Sequence, residues 1–418
     1  MDIRILPSSL SGTFSAPPSK SQAHRYLICA ALADKPTLIR TGETNDDIAA
    51  TVGCLRALGA EIVRTDDGFM VTPVKEAAEN YAVLDCGESG STLRFLLPVA
   101  GALGVTAEFT GKGKLPSRPI IQLMEVMTGC SFSSATLPFT LSGKLQNGDF
   151  AIEANVSSQF ISGLMFALPL IGGGRIIPST ETESTAYIDM TLDALQTFGV
   201  NIEVEKYEGS FCYRYVGGKY TSPGEITVES DYSAAAFLLA GGAIGGKVRC
   251  DNLNRYSLQA DREIMRLLKR FGAKVDKNTV SADELHGIEI SAEEFPDLVP
   301  ILAVMGVFCD GQTKITGAGR LRIKESDRLY AVFKCLKAMG ADIKQTGDGL
   351  IIRGNEYIKG GKINGFNDHR IVMAMTIAAT YAENPTVITG AEAINKSYPD
   401  FFRDYVKLGG RYDVVNNG

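Results

Sequence analysis

Along this chain a helical apolar period repeatedly ends in glycine and passes into an alternating, strand-like stretch. The segments are "CLRALGAEIVRTDDGFMV", "LMEVMTGCSFSS", "LDALQTFGVNIEVEKY", "IMRLLKRFGAKVDK", "CLKAMGADIKQTGDGLII" and "YVKLGGRYDVV". Their glycines, Gly59, Gly129, Gly199, Gly272, Gly340 and Gly410, are spaced by 70, 70, 73, 68 and 70 residues. Each is expected to take the left-handed conformation with which a helix ends before a strand. A regular spacing of this kind marks repeated α/β units.

Two further landmarks keep the same rhythm. Polar clusters precede nearly all-apolar helices at Ser19-Lys20-Ser21, Glu88-Ser89-Gly90-Ser91, Ser157-Ser158-Gln159, Ser230-Asp231-Tyr232-Ser233, Pro296-Asp297 and Asn367-Asp368-His369-Arg370. They read as N-caps on helices buried on most sides. Loops such as "TGETNDD", "TGKGKLPSRP", "DNLNRYSLQAD" and "TGAGRLRIKESDR" lead into the second, amphipathic helix of each unit. The expected fold is α/β: two pseudo-threefold domains, each of three βαβαββ-like repeats, forming an inside-out α/β barrel. Pro223-Gly224 marks a break, and the strand "MDIRILPSS" is expected to pair with the second domain. That gives residues 1–15 with 229–418 as one domain and 16–228 as the other. A hinge is expected at the two crossings, with the active site in the cleft between them.

Composition narrows the function. A net charge of −6 argues against a general nucleic-acid or membrane-surface binder. The apolar run Leu298 to Phe308 is broken by Pro300 and too short to span a bilayer. Eight scattered cysteines without a C-x-x-C pair, and no visible signal peptide, suit a reducing cytoplasm. Three histidines in no clustered pattern offer no metal site. Dinucleotide-binding, P-loop and G-x-S-x-G patterns are absent.

Against this acidic background, Lys20, Arg25, Arg94, Arg118, Arg322, Lys324, Arg328, Arg370 and Lys396 fall at or beside the repeated landmarks. Cations at helix starts look misplaced, because the macrodipole there already carries positive charge. A bound polyanion resolves the conflict: N–H groups and cations then address the same charge. The acids Asp297, Glu325, Asp327, Asp368 and Asp400 read as caps, arginine partners or proton-transfer groups. Asp297 stands ahead of an apolar run with no basic neighbour in sequence.

The segments "PSKSQAHR", "ESGSTLR", "SRPI", "SSQF", "STAYID", "PDLVP", "RIKESDRL", "NDHRIVMA" and "INKSYPDFF" resemble, in order and over essentially the whole chain, the signatures of the 5-enolpyruvylshikimate-3-phosphate synthase family. The resemblance implies transfer of the enolpyruvyl group of phosphoenolpyruvate to the 5-hydroxyl of shikimate 3-phosphate through a tetrahedral ketal. This step of the shikimate pathway leads to chorismate and the aromatic amino acids. By motif position, Lys20, Gly90, Arg118, Gln159, Arg328, Arg370 and Lys396 would meet phosphoenolpyruvate. Lys20, Ser21, Arg25, Ser157, Ser158, Gln159, Ser184, Asp297 and Lys324 would meet shikimate 3-phosphate, with Tyr187 nearby. Asp297 would be the base for the hydroxyl, and Glu325 and Lys20 candidates for proton traffic. No metal or organic cofactor, nucleic acid or membrane is implied, and a cytoplasmic monomer is expected. Glu88, Arg320 and His24 depart from residues common in the family, and His24 receives no catalytic task. The alternative is the related UDP-N-acetylglucosamine enolpyruvyl transferase, disfavoured because "TGKGKLPSRP" holds no cysteine.

Overall fold

The computed structural model describes residues 1–42, 44–75, 81–207, 210–355 and 357–415. Glu43, in the first repeated loop, lies outside the described residues. The chain divides into two compact units: a continuous one, Pro18–Glu229, and a discontinuous one, Met1–Pro17 with Ser230–Gly418.

In the continuous unit the helices are α1 (Lys20–Ala31), α2 (Asp46–Ala57), α3 (Gly90–Leu103), α4 (Ile121–Val126), α5 (Ser158–Ala167) and α6 (Thr185–Thr197). The discontinuous unit holds α7 (Tyr232–Gly245), α8 (Ile264–Arg270), α9 (Val299–Val307), α10 (Arg328–Ala338), α11 (His369–Thr380) and α12 (Phe401–Lys407). Odd-numbered helices open the repeats and even-numbered ones close them. The openers are core elements: α9 and α11 are buried at every position. Such helices gain about 1.5–3 kcal/mol for each large apolar side chain they bury. The closers keep one apolar face; in α10 the buried side chains include Leu329, Val332 and Leu336, while Tyr330 is exposed.

Among the described residues, six four-stranded sheets flank these helices, three in each unit. All share one pattern of a parallel pair followed by two antiparallel pairs. Ala82–Asp85 runs parallel to Ala107–Thr110, which pairs with Phe139–Gly143, which pairs with Cys130–Phe132. Asp149–Ile152, Arg175–Pro178, Ser210–Gly218 and Val200–Tyr207 repeat the order. Glu289–Ser291, Gln312–Thr316, Leu350–Arg353 and Asp342–Gln345 do so again. Three strands come from elsewhere in the chain. Glu225–Thr227, at the end of the continuous unit, is the parallel partner of Thr37–Arg40 at its beginning. Ser11–Phe14 runs parallel to Lys247–Cys250. Asp2–Leu6 sits between Thr386–Thr389 and Arg411–Val415.

Five of the six expected glycines, Gly59, Gly129, Gly199, Gly272 and Gly340, have φ between 80° and 107°. The sixth expectation is corrected: Gly409, with φ 98°, terminates α12 instead of Gly410. Gly410 is required for a different reason, since a Cβ there would strike the Tyr405 ring. Five of the six polar clusters cap their helices, through the side chains of Ser19, Ser89, Ser157, Asp231 and Asp368. The exception is Pro296-Asp297, where a 3-10 turn feeds α9 without a side-chain cap.

Candidate active site

In the continuous unit the helix starts are tied together by buried side chains. Lys20, the first residue of α1, places Nζ 2.7 Å from Asp47 in the first turn of α2. Arg25, one turn on, is 2% exposed and donates from Nε to Thr191 Oγ1 at 2.9 Å. Its Nη1 donates to the Ser21 carbonyl and its Nη2 to the Tyr187 carbonyl, both at 2.7 Å. The guanidinium also lies 5.1 Å from the Phe95 ring centroid. Arg25 therefore joins α1 to α6, and burial lowers its pKa to about 10. Those bonds use three of the five donors of its fork.

Arg94, which the sequence placed only among the landmark cations, sets the orientation of Gln159. It donates to Gln159 Oε1 and to the Pro119 carbonyl, each at 2.9 Å. Gln159 Nε2 in turn donates to Ser91 Oγ at 2.8 Å, so both ends of the amide are held. Ser157 caps α5, and Ser158 beside it is buried. Ser184 is buried just ahead of α6 with φ 55°, a conformation that costs a non-glycine residue on the order of 1 kcal/mol or more. Gly90 opens α3 directly beneath Arg118: a Cβ on Gly90 would lie 2.5 Å from Arg118 Nη1. Glycine there permits the guanidinium to lie across the start of the helix.

His24 belongs to a buried hydroxyl chain below these groups. Its Nδ1 is 2.7 Å from Thr51 Oγ1, which is 2.7 Å from Thr92 Oγ1, which donates to Ser89 Oγ at 2.7 Å. Burial, followed by Lys20 and Arg25, holds the imidazole well below its ordinary pKa. A neutral ring is thus set into the scaffold of α1, α2 and α3.

The discontinuous unit gathers Asp297, Lys324, Glu325, Arg328, Arg370 and Lys396. Arg328, first residue of α10 and 2% exposed, is the centre of the cluster. It donates to Asp297 Oδ1 and Asp368 Oδ2 at 2.8 Å each, and to Glu325 Oε2. Arg370 Nη2 donates to Asp297 Oδ2 at 2.9 Å, so two guanidinium groups grip the two oxygens of one carboxylate. Burial pushes the Asp297 pKa up, but Arg370, Lys324 and Arg328 outweigh it and hold the carboxyl below its usual range. Asp368 divides its work between capping α11, through the Arg370 amide, and bonding Arg328. Lys396, 7% exposed, donates to the Asn367 carbonyl at 2.6 Å. Phe366 and Asn367 both have positive φ, which turns the chain sharply before α11. Asp327 caps α10 and pairs with Arg322, and Asp400 pairs with Arg403.

Glu325, Asp368 and His369 also bring three potential metal-ligating atoms within 4.8 Å of one another. Arg328 bonds both of those carboxylates, so a guanidinium supplies positive charge at that point. The acids that sequence reasoning passed over are Asp47 and Asp261; nothing in their spacing distinguishes them from solvated charges.

The comparisons with known proteins agree on one family. The family model described as EPSP synthase (3-phosphoshikimate 1-carboxyvinyltransferase) matches residues 6–405. A 3-phosphoshikimate 1-carboxyvinyltransferase of Clostridium novyi (strain NT) is 42% identical, over 100% of this chain and 99% of its own. That of Clostridium acetobutylicum is 40% identical over 98% of this chain and 97% of its own. Among solved structures, EPSP synthase from Acinetobacter baumannii is similar with a TM-score of 0.81 at 26% identity, covering 99% of this chain and 100% of that one. The enolpyruvyl transferase NikO from Streptomyces tendae shares the fold, with a TM-score of 0.73 at 17% identity, covering 99% and 98%. With its six repeats, its arginine-gripped Asp297 and a match running nearly end to end, the chain belongs to the EPSP synthase family.

Proposed function

We propose that this chain transfers the enolpyruvyl group of phosphoenolpyruvate to the 5-hydroxyl of shikimate 3-phosphate, releasing phosphate. The observation that carries this reading is Asp297, a carboxylate in the 3-10 turn before α9 that is gripped by Arg328 and Arg370. Such a group is ionised at neutral pH but weakly basic, because two cations stabilise its charge. The phosphate and carboxylate of phosphoenolpyruvate compete for the same arginines. When they bind, part of the cationic hold on Asp297 is neutralised and its basicity rises as the substrates assemble.

The methylene carbon of phosphoenolpyruvate first gains a proton, with Glu325 and Lys20 as the candidate donors. The 5-hydroxyl oxygen then bonds to the adjacent carbon while Asp297 takes the hydroxyl proton, giving the tetrahedral ketal. Loss of a methyl proton and cleavage of the carbon–oxygen bond to phosphate restore the double bond and complete the exchange. Arg118, Arg328, Arg370, Lys20 and Lys396 would hold phosphoenolpyruvate beside Gly90 and Gln159. Ser21, Arg25, Ser157, Ser158, Gln159, Ser184, Asp297 and Lys324 would hold shikimate 3-phosphate. Prealigned donors of this kind stabilise charge as it develops. The described helices include none long and apolar enough to cross a membrane, and all eight cysteines are free. Both suit a cytoplasmic enzyme, which we take to act as a monomer.

The test is phosphate release by the purified protein. Release is expected only with phosphoenolpyruvate and shikimate 3-phosphate together. Release with a UDP-amino sugar in place of shikimate 3-phosphate would overturn the assignment.

A further inference from the structure

One sheet of the discontinuous unit carries charge on its outward face in a way its sisters do not. Its strands lie in the order Lys274–Asp276, Thr279–Ser281, Lys247–Cys250 and Ser11–Phe14. Side chains alternate between the two faces of a strand. Val280 and Val248 turn inward and are fully buried, so their neighbours turn outward. The register sets those neighbours in two rows across the sheet. One row runs Lys274, Ser281, Lys247, Ser11, and the other Asp276, Thr279, Arg249, Thr13. With strands about 4.8 Å apart, each row is about 14 Å long, and the rows stand about 7 Å from one another.

Elsewhere in the chain the register puts an acid opposite an exposed strand arginine. Arg4 meets Asp413 at 3.2 Å, Arg175 meets Asp149 at 2.5 Å and Arg214 meets Glu203 at 2.8 Å, each across a strand pair. Such pairs cancel charge on the face they occupy. Lys247 and Arg249 instead have hydroxyls on both sides, Ser281 and Ser11 for the lysine, Thr279 and Thr13 for the arginine. Neither has an ion-pair partner among the described residues, and nor does Lys269 near the end of α8. Lys274 pairs with Asp283 at 3.1 Å, and Asp276 is the one acid in the two rows. Both rows and Lys269 line a single cleft of about 910 Å³, a size that suits a small molecule. None of the residues assigned above to either substrate lines it.

We propose that this cleft is a second anion site, which takes a small phosphate-bearing molecule and is separate from the enolpyruvyl-transfer residues. Arg249 supplies the fork that grips two phosphate oxygens, and Lys247 and Lys269 supply point charges. The flanking Ser and Thr hydroxyls donate to the oxygens that remain. Phosphate offers more acceptor oxygens than a carboxylate, which suits donors that approach from both rows. A bound dianion also relieves the repulsion between the like charges of Lys247 and Arg249. Asp276, at the edge of the second row, repels any longer polyanion laid across the whole sheet.

The experiment acetylates the lysines of the full chain with acetic anhydride, with and without pyrophosphate, and reads each lysine by peptide mass spectrometry. Because the lysines are read one by one, pyrophosphate held at Lys20 or Lys396 does not enter the result. At about ten times its Kd, pyrophosphate should slow acetylation of Lys247 and Lys269 about tenfold. Lys344, exposed on a sister sheet, should react at its original rate. Equal slowing at Lys344, or equal slowing by potassium chloride at matched ionic strength, would reduce the effect to screening and overturn the proposal.

Arg249→Gln removes the fork and keeps a polar side chain on the exposed face. It should raise the pyrophosphate concentration for half-protection of Lys247 and Lys269 about tenfold or more. Unchanged protection in that variant would overturn the proposal. Should Arg249→Gln fail to fold, Lys247→Gln read at Lys269 gives the same decision. Protection at a lower phosphate concentration by a single-stranded oligodeoxynucleotide, or by vesicles containing phosphatidic acid, would overturn the small-molecule reading. None of these outcomes depends on the enolpyruvyl-transfer activity.

Discussion

Replacing Arg328 by Met keeps much of the side-chain volume and removes only the charge and its donors. In the folded protein Arg328 bonds three carboxylates, and the side-chain exposures are 2% for Arg328, 0% for Asp368, 17% for Asp297 and 16% for Glu325. Asp297 and Glu325 have some access to water, and Asp297 retains Arg370. Asp368 does not: its remaining bonds are from the Ser326 hydroxyl at 2.9 Å and the Arg370 amide at 3.0 Å. Stripping one partner from a buried ion pair typically costs about 3–5 kcal/mol. The fully buried Asp368 places Arg328→Met in that range, against under about 1 kcal/mol for an exposed pair. The loss should also depend on pH. In the parent, Asp297 has a folded pKa below its unfolded 3.8, so its stabilisation is present above about pH 4 and lost as pH falls. Removing Arg328 weakens that contribution and leaves buried carboxylates that take up protons more readily. The difference between parent and variant should be greatest near neutrality and shrink toward about pH 5. Urea unfolding followed by far-ultraviolet circular dichroism, at about pH 7.5 and about pH 5, measures both quantities. A neutral-pH loss below about 1 kcal/mol, or an equal loss at the two pH values, would refute the reasoning.

Two further substitutions probe the site. Asp297→Asn keeps the shape but removes the base, so kcat should fall by roughly 10²–10⁴; steady-state phosphate release reads this, and a loss under about tenfold would remove Asp297 from proton transfer. Gly90→Ala puts a methyl group against the Arg118 guanidinium, 2.5 Å from Nη1, and must displace it. KM for phosphoenolpyruvate should rise by about one to two orders of magnitude, the worth of roughly 1.4–3 kcal/mol of arginine–anion contact. An unchanged KM would mean that Arg118 does not touch that substrate.

The repeat was legible in the sequence because helix period, terminating glycine and N-cap are local properties, written within a few residues of one another. The one misplaced terminator shows the limit of that reading. Gly409 and Gly410 are adjacent, and what separates their roles is a tertiary contact, the Tyr405 ring packed against Gly410. The cations at helix starts were legible for the same local reason. Their partners were not: Asp297 meets Arg328 and Arg370 across 31 and 73 residues of chain. The buried Asp261 and the His24–Thr51–Thr92 chain were invisible for a related reason, since burial is decided by packing and leaves no trace in spacing. Arg94 was visible as a landmark cation, but its hold on Gln159 appears only when α3 and α5 are side by side.

The strands that close sheets from a distance set an order for the birth of the molecule on the ribosome. The continuous unit has all its strands once Thr227 has emerged, because Glu225–Thr227 completes the sheet begun by Thr37–Arg40. The opening strands Asp2–Leu6 and Ser11–Phe14 are made first, yet their partners lie at Thr386–Thr389, Arg411–Val415 and Lys247–Cys250. At about 5–20 residues per second these two strands wait tens of seconds for translation to supply the last of their neighbours. Nascent chains therefore carry a dangling, unpaired leader while the second-made unit is completed around it, the interval in which a chaperone has most to protect.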